Sequence, residues 1–119
     1  MMDFDNNRPI YLQIYDVICN TILSGGLKPD ERIPSVREYG ASVGVNPNTV
    51  MRTYEKLTGD GIIFNKRGIG YFVGPDAPDK ISSAQRKTFM EDELPKFISR
   101  MELLGIDPDE VCEKIKGGL

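Results

Sequence analysis

The sequence contains no histidine and only two cysteines, Cys19 and Cys112, far apart in the chain. Without histidine the commonest general acid–base group and metal ligand is missing, and the cysteines form no pair at metal-binding spacing. Neither a G-x-S-x-G turn nor a phosphate loop is present, so acid–base, nucleophilic and metal chemistry all lack their parts. An enzyme is not expected, and neither is a cofactor or a metal. No apolar run approaches the roughly 18 residues that a membrane-spanning helix needs, and the N-terminus lacks the pattern of a secretory signal. The expected compartment is the cytosol, where both thiols are read as buried and reduced.

An excess of positive charge is also missing. The net charge is −3, which by itself argues against a nucleic-acid partner. Residues 1–75 carry eight Lys and Arg against eight Asp and Glu, while residues 76–119 carry seven against ten, so the acidity lies in the tail. Between residues 46 and 70 the balance is locally positive, with Arg52, Lys56, Lys66 and Arg67 against Glu55 and Asp60.

What is present is an ordinary globular composition, 39% hydrophobic and 28% charged, in 119 residues. That length suits one domain, or a small domain with an appendage, and one modest core. Residues 9–23 place Ile10, Ile14, Val17, Ile18 and Ile22 at helical spacing between Pro9 and Gly25-Gly26, which predicts a first helix buried on a broad face. Ser35 and Glu38 form a capping box that opens a short second helix, and Gly44 ends it in a tight turn. Asn46 and Pro47 then open a third helix, since the Asn side chain caps free N–H groups and proline fits the first helical position. Val50, Tyr54 and Leu57 share its core face, leaving Asn48, Thr49, Arg52 and Lys56 to point elsewhere. Two short helices around a glycine turn make a helix-turn-helix candidate.

The period then changes. Residues 61–74, GIIFNKRGIGYFVG, hold two apolar runs around a basic, glycine-bearing tip, as a β-hairpin would. Gly68 and Gly70 do not make a dinucleotide fingerprint, because the third glycine and the following helix are absent. GPDAPD, residues 74–79, has the composition of a short linker. Beyond it an amphipathic helix is expected from about residue 80 to 104, kinked or restarted at Pro95 and closed by Gly105, before a last helix opened by Asp107 and Pro108. The expected architecture is α+β: a winged helix-turn-helix over residues 1–75 and a short helical dimerisation segment over 76–119.

The stretch RIPSVREYGASVGVNPNTVMRTYEKLTGDGIIFNKRGIGYFV is similar to the DNA-binding domain of the GntR family of bacterial transcription regulators. PNTVMRTY followed by a short tail resembles its YtrA subgroup. The resemblance implies a DNA-binding regulator, with Ser35 and Arg37 at the head of the second helix on DNA. It further implies that Asn46, Asn48, Thr49 and Arg52 hold phosphates and bases, and that Lys66, Arg67 and Gly68 form the wing tip. Tyr39-Gly40 departs from the family's usual Leu-Ala, and Ile69 and Tyr71 from its usual cation and threonine. Simpler roles exist for each residue: caps for Ser35 and Asn46, surface pairs with Glu31 or Glu38 for Arg37 and with Glu55 for Arg52, and a charged turn for Lys66 and Arg67. The tail, too short for the effector domains that most of the family attach, carries Phe97, Ile98, Met101 and Leu104 as a stripe that can either cover the winged helix or, as is expected, pack against a second copy. The reading is a dimeric repressor on a pseudo-palindromic operator, with room for an unidentified small-molecule effector. The alternative is a winged helix that binds only another protein.

Overall fold

The structure, a computed structural model, describes Phe4 and residues 7–118. It divides into two compact units, Met1–Ser82 and Ser83–Leu119.

In the first unit α1 (Ile10–Leu23) packs along α3 (Pro47–Gly59), and α2 (Val36–Val43) crosses the same helix. Each helix starts where its sequence provides a cap. Ser35 Oγ accepts the Glu38 N–H at 3.1 Å while Glu38 Oε1 accepts the Ser35 N–H at 3.0 Å, which completes the capping box. Asn46 Oδ1 accepts the Asn48 N–H at 2.8 Å at the head of α3. Gly44 closes α2 at φ 72°, in the left-handed region that favours glycine, and the Val45 N–H returns to the Gly40 carbonyl at 2.9 Å. The helical glycine at 40 also has a steric reason. A Cβ built there would stand 2.7 Å from the Val45 carbonyl oxygen, so the turn between α2 and α3 closes onto a bare backbone.

Strand β1 (Ile63–Lys66) pairs antiparallel with β2 (Gly70–Val73), Ile63 facing Val73 and Lys66 facing Gly70. On the far side of β2 the segment before α2 adds a short third edge. Arg32 bridges Phe72, the Ile33 N–H donates to the Tyr71 carbonyl, and the Val73 N–H to the Glu31 carbonyl. The core collects Ile14, Ile18 and Ile22 from α1, Val50, Tyr54 and Leu57 from α3, Ile33, and Ile62, Ile63 and Val73 from the hairpin.

Several details of the sequence reading change here. Ile10 and Val17 are exposed, because the buried stripe of α1 is rotated toward Tyr11, Tyr15 and Cys19. GPDAPD is not a linker throughout: α4 (Ala77–Thr88) begins inside it, with Pro78 tolerated in the first turn and Ala77 and Ile81 buried.

The second unit comprises the end of α4, a widened π turn at Phe89–Glu93, α5 (Leu94–Leu104) and α6 (Pro108–Gly117). Pro95 cannot donate an N–H into the helix ladder, and the turn before it relaxes so that the Leu94 N–H reaches back five residues to Phe89. Gly105 ends α5 at φ 66°, and Asp107 caps α6 by accepting the Asp109 N–H at 2.9 Å. Cys112 is exposed on α6, in contrast to the buried thiol expected there, whereas Cys19 is buried. Among the described residues of this unit none is fully buried, and no helix among the described residues is long and apolar enough to cross a membrane.

Candidate nucleic-acid interface

Four residues of α3 are turned into the core, Val50, Thr53, Tyr54 and Leu57, and these fix which residues face out. Asn48, Met51, Arg52 and Glu55 are exposed and Thr49 is half-buried. The Asn48 and Thr49 side chains have no partner among the described residues. They stand with Arg52 and with Pro9, Ile10 and Tyr11 around an open recess of about 340 Å³. Arg52 makes no ion pair with Glu55; its guanidinium lies 4.0 Å from the centroid of the Tyr11 ring.

The other end of α3 is fastened differently. Lys56 Nζ lies 4.8 Å from the Tyr15 ring centroid and 3.1 Å from Asp60 Oδ2, and the Tyr15 hydroxyl donates to the same carboxylate oxygen at 2.7 Å. The Tyr15 hydrogen bond, with help from Lys56, holds the Asp60 carboxyl below its ordinary range. Burial and that hydrogen bond push the Tyr15 phenol up. The buried Thr53 hydroxyl donates to the Tyr11 carbonyl at 2.7 Å, and the Tyr54 hydroxyl to the Pro34 carbonyl at 2.7 Å. Through these bonds α3 is held against both α1 and the entry to α2.

At the head of α2, Arg37 is exposed and forms no ion pair among the described residues, with neither Glu31 nor Glu38. The Glu38 carboxyl is held below its ordinary range, first by the Ser35 N–H, then by the Ser35 hydroxyl, and less by Arg32. Arg32 is a cation that the sequence reading passed over. Its Nε lies 3.0 Å from where a Cβ on Gly70 would stand, so it lies beside β2 toward the tip end of the hairpin, close to Glu38. The available signal was its position immediately before the I-P-S-x-R element.

The hairpin tip is a tight turn. The Ile69 N–H donates to the Lys66 carbonyl at 2.9 Å, and Gly68 takes φ 78°, as the third position of such a turn demands. Phe64 and Phe72 stack at 5.8 Å, and Lys66 Nζ lies 4.5 Å from the Phe72 centroid. Arg67 is exposed beside it, and Ile69 is 61% exposed. Of the residues singled out in the sequence, the structure therefore gathers Asn48, Thr49 and Arg52 into one recess. Ser35 and Arg37 stay at the head of α2, Asn46 at the cap of α3, and Lys66, Arg67 and Gly68 at the tip.

A helix pair joined by a glycine turn, its second helix opening on unspent polar side chains, with a basic hairpin following, defines a winged helix-turn-helix. The chain belongs to the gntR family of bacterial regulatory proteins, which matches residues 10–73. It is a DNA-binding transcriptional regulator of that family. It is 36% identical over 113 residues to the uncharacterized HTH-type transcriptional regulator YhcF of Bacillus subtilis strain 168, spanning 95% of this chain and 92% of that one. To the HTH-type transcriptional repressor YtrA of the same strain it is 31% identical over 115 residues, 97% of this chain and 88% of the other. A GntR family transcriptional regulator from Listeria monocytogenes superposes with a TM-score of 0.80 at 31% identity, over 98% of this chain and 100% of that one. The DNA-binding domain of AraR in complex with operator ORR3 superposes at 0.55 with 27% identity, over 62% of this chain and 89% of that one.

Proposed function

We propose that this regulator acts in the cytoplasm as a homodimeric repressor that occupies a pseudo-palindromic operator and so denies polymerase the promoter. The observation that carries the reading is the recess at the head of α3, where the side chains of Asn48, Thr49 and Arg52 stand together with no hydrogen bond or ion pair among the described residues. In a winged helix the second helix of the pair enters the major groove N-terminus first, while the hairpin reaches the backbone or the minor groove. Docked in that way, Asn48 and Arg52 meet base edges and Thr49 a phosphate. Arg37 reads or clamps the DNA beside them, Ser35 and Asn46 touch phosphates from the caps, and Lys66, Arg67 and Gly68 follow the neighbouring groove. The operator named with AraR and the repressor name of YtrA support the reading by kinship.

The tail supplies the support for a dimer. Phe97, Ile98 and Leu104 are exposed and Met101 is half-buried, and Phe89, Leu94, Phe97 and Ile115 with Glu93 line an apolar hollow of about 390 Å³. An apolar face of this kind is covered economically by a second copy, and a two-fold dimer matches two half-sites. The test is selection of duplexes from a randomised pool by the full chain, followed by anisotropy at two salt concentrations and sedimentation. A symmetric consensus, a steep salt dependence and a dimer are expected. Phe97→Glu combined with Leu104→Glu should sediment as a monomer; a dimer that survives both changes would remove the tail interface. No enrichment by a well-folded dimer would favour a protein partner instead.

A further inference from the structure

Tyr11 and Tyr15 lie one turn apart on α1, and Arg52 and Lys56 lie one turn apart on α3, so the two helices meet through two tyrosine–cation pairs. The pairs differ in what remains of the cation. The Lys56 ammonium is bound to Asp60 at 3.1 Å, and Asp60 also takes the Tyr15 hydroxyl, so that pair is closed on itself. Among the described residues the Arg52 guanidinium has no carboxylate, and the Tyr11 hydroxyl has no hydrogen-bond partner. A guanidinium stacked on a ring has its face covered and its in-plane N–H groups free, and a fork of in-plane donors is the shape that guanine O6 and N7 accept. The backbone that carries the ring is anchored to α3, because the Tyr11 carbonyl accepts the buried Thr53 hydroxyl at 2.7 Å, one residue along from Arg52.

From this contrast, and resting on the operator reading above, we infer that Tyr11 is a positioning residue for base recognition, its ring holding the Arg52 fork toward one guanine of each half-site. Tyr11 itself need not touch DNA. Its contribution is to limit the rotamers of an otherwise free arginine before the duplex arrives.

The experiment uses the full chain and the duplex that it selects, together with a set in which each half-site base pair is exchanged in turn. Arg52→Ala identifies the base pair at which discrimination is lost. Tyr11→Leu should lose discrimination at that same base pair, roughly tenfold, and adding it to Arg52→Ala should cost nothing more. Tyr11→Phe keeps the ring and should keep the parent's discrimination. Arg52→Lys, an exposed change that leaves the fold alone, should behave as Arg52→Ala because an ammonium has no fork. The inference is overturned if Tyr11→Leu weakens every duplex equally, if its effect adds to that of Arg52→Ala, or if Tyr11→Phe is as damaged as Tyr11→Leu. A parent protein that enriches no duplex at all overturns the operator reading, and the inference with it.

Discussion

Replacing Tyr54 by phenylalanine removes a single oxygen from the centre of the first unit. The side chain is fully buried; its ring meets Tyr71 edge-on at 5.0 Å and Tyr39 at 6.3 Å, and its hydroxyl reaches the Pro34 carbonyl at 2.7 Å. Phenylalanine keeps both ring contacts and loses only the hydrogen bond. Pro34 is an exposed residue, and the bond is only partly buried. The expected cost is therefore the net value of one hydrogen bond, about 1 kcal/mol, and not the larger penalty of an orphaned buried group. Truncation to alanine also deletes the ring and should cost about 3–5 kcal/mol. A unit of this size holds only about 4–12 kcal/mol in total, so the alanine protein should lose a large share of its stability while the phenylalanine protein keeps most of it. Urea unfolding followed by circular dichroism measures both, with an unchanged slope expected for Tyr54→Phe and a melting temperature lower by about 4–8 °C. A Tyr54→Phe midpoint equal to the parent's would mean that the bond to Pro34 does not hold α3 to the entry of α2.

Acid should weaken the fold through Asp60 and Glu38. Their carboxyls sit below their ordinary values of 3.8 and 4.5 in the folded state, so the stability they contribute is complete above those values and is lost as pH falls through the lowered ones. Asp60→Asn should lose less between pH 5 and pH 3, in urea midpoints, than the parent does (roughly that window from the ordinary carboxylate values); an equal loss would exclude Asp60. At the alkaline end the Cys19 thiol is pushed from 9.0 up to about 12 by burial, so its share of stability declines as pH rises from 9.0 toward that value, and Cys19→Ser should flatten the decline. On DNA, Arg37→Ala should cost roughly 1–3 kcal/mol and relax one base pair of each half-site. Arg67→Ala should weaken all duplexes alike and reduce the salt slope by about one, in the same anisotropy titrations.

Local chemistry was legible in the sequence wherever one or two residues decide the structure. Ser35 with Glu38, Asn46 with Pro47 and Asp107 with Pro108 open helices where their caps predict, and Gly44 and Gly105 end them. The hairpin and its tip followed from a change of period and from Gly68. The candidate site was legible as residue types, since Asn48, Thr49 and Arg52 do share a recess, but not as a geometry. Counting only aliphatic side chains put Ile10 and Val17 in the stripe of α1 with Ile14, Ile18 and Ile22, whereas Tyr11, Tyr15 and Cys19 belong to the packed side in their place, at successive steps of about 100° per residue. That rotation is what places Tyr11 under Arg52, and no spacing rule contains it. Pro78 disguised the start of α4 because proline punctuates loops and helix first turns alike. Nothing local to Arg32 announces that it lies along the hairpin, because that neighbour arrives from almost forty positions later in the chain.

The two thiols have opposite fates, and this makes the chain its own labelling reagent. Cys19 is sealed on the buried face of α1 with almost no thiolate at neutral pH, while Cys112 faces solvent on α6. A maleimide dye added to the unmodified protein is therefore directed to one site in the tail. For the dimer proposed above, copies carrying donor and acceptor there would turn subunit exchange into a change of colour, with no engineered cysteine and no alteration to the residues proposed to face DNA.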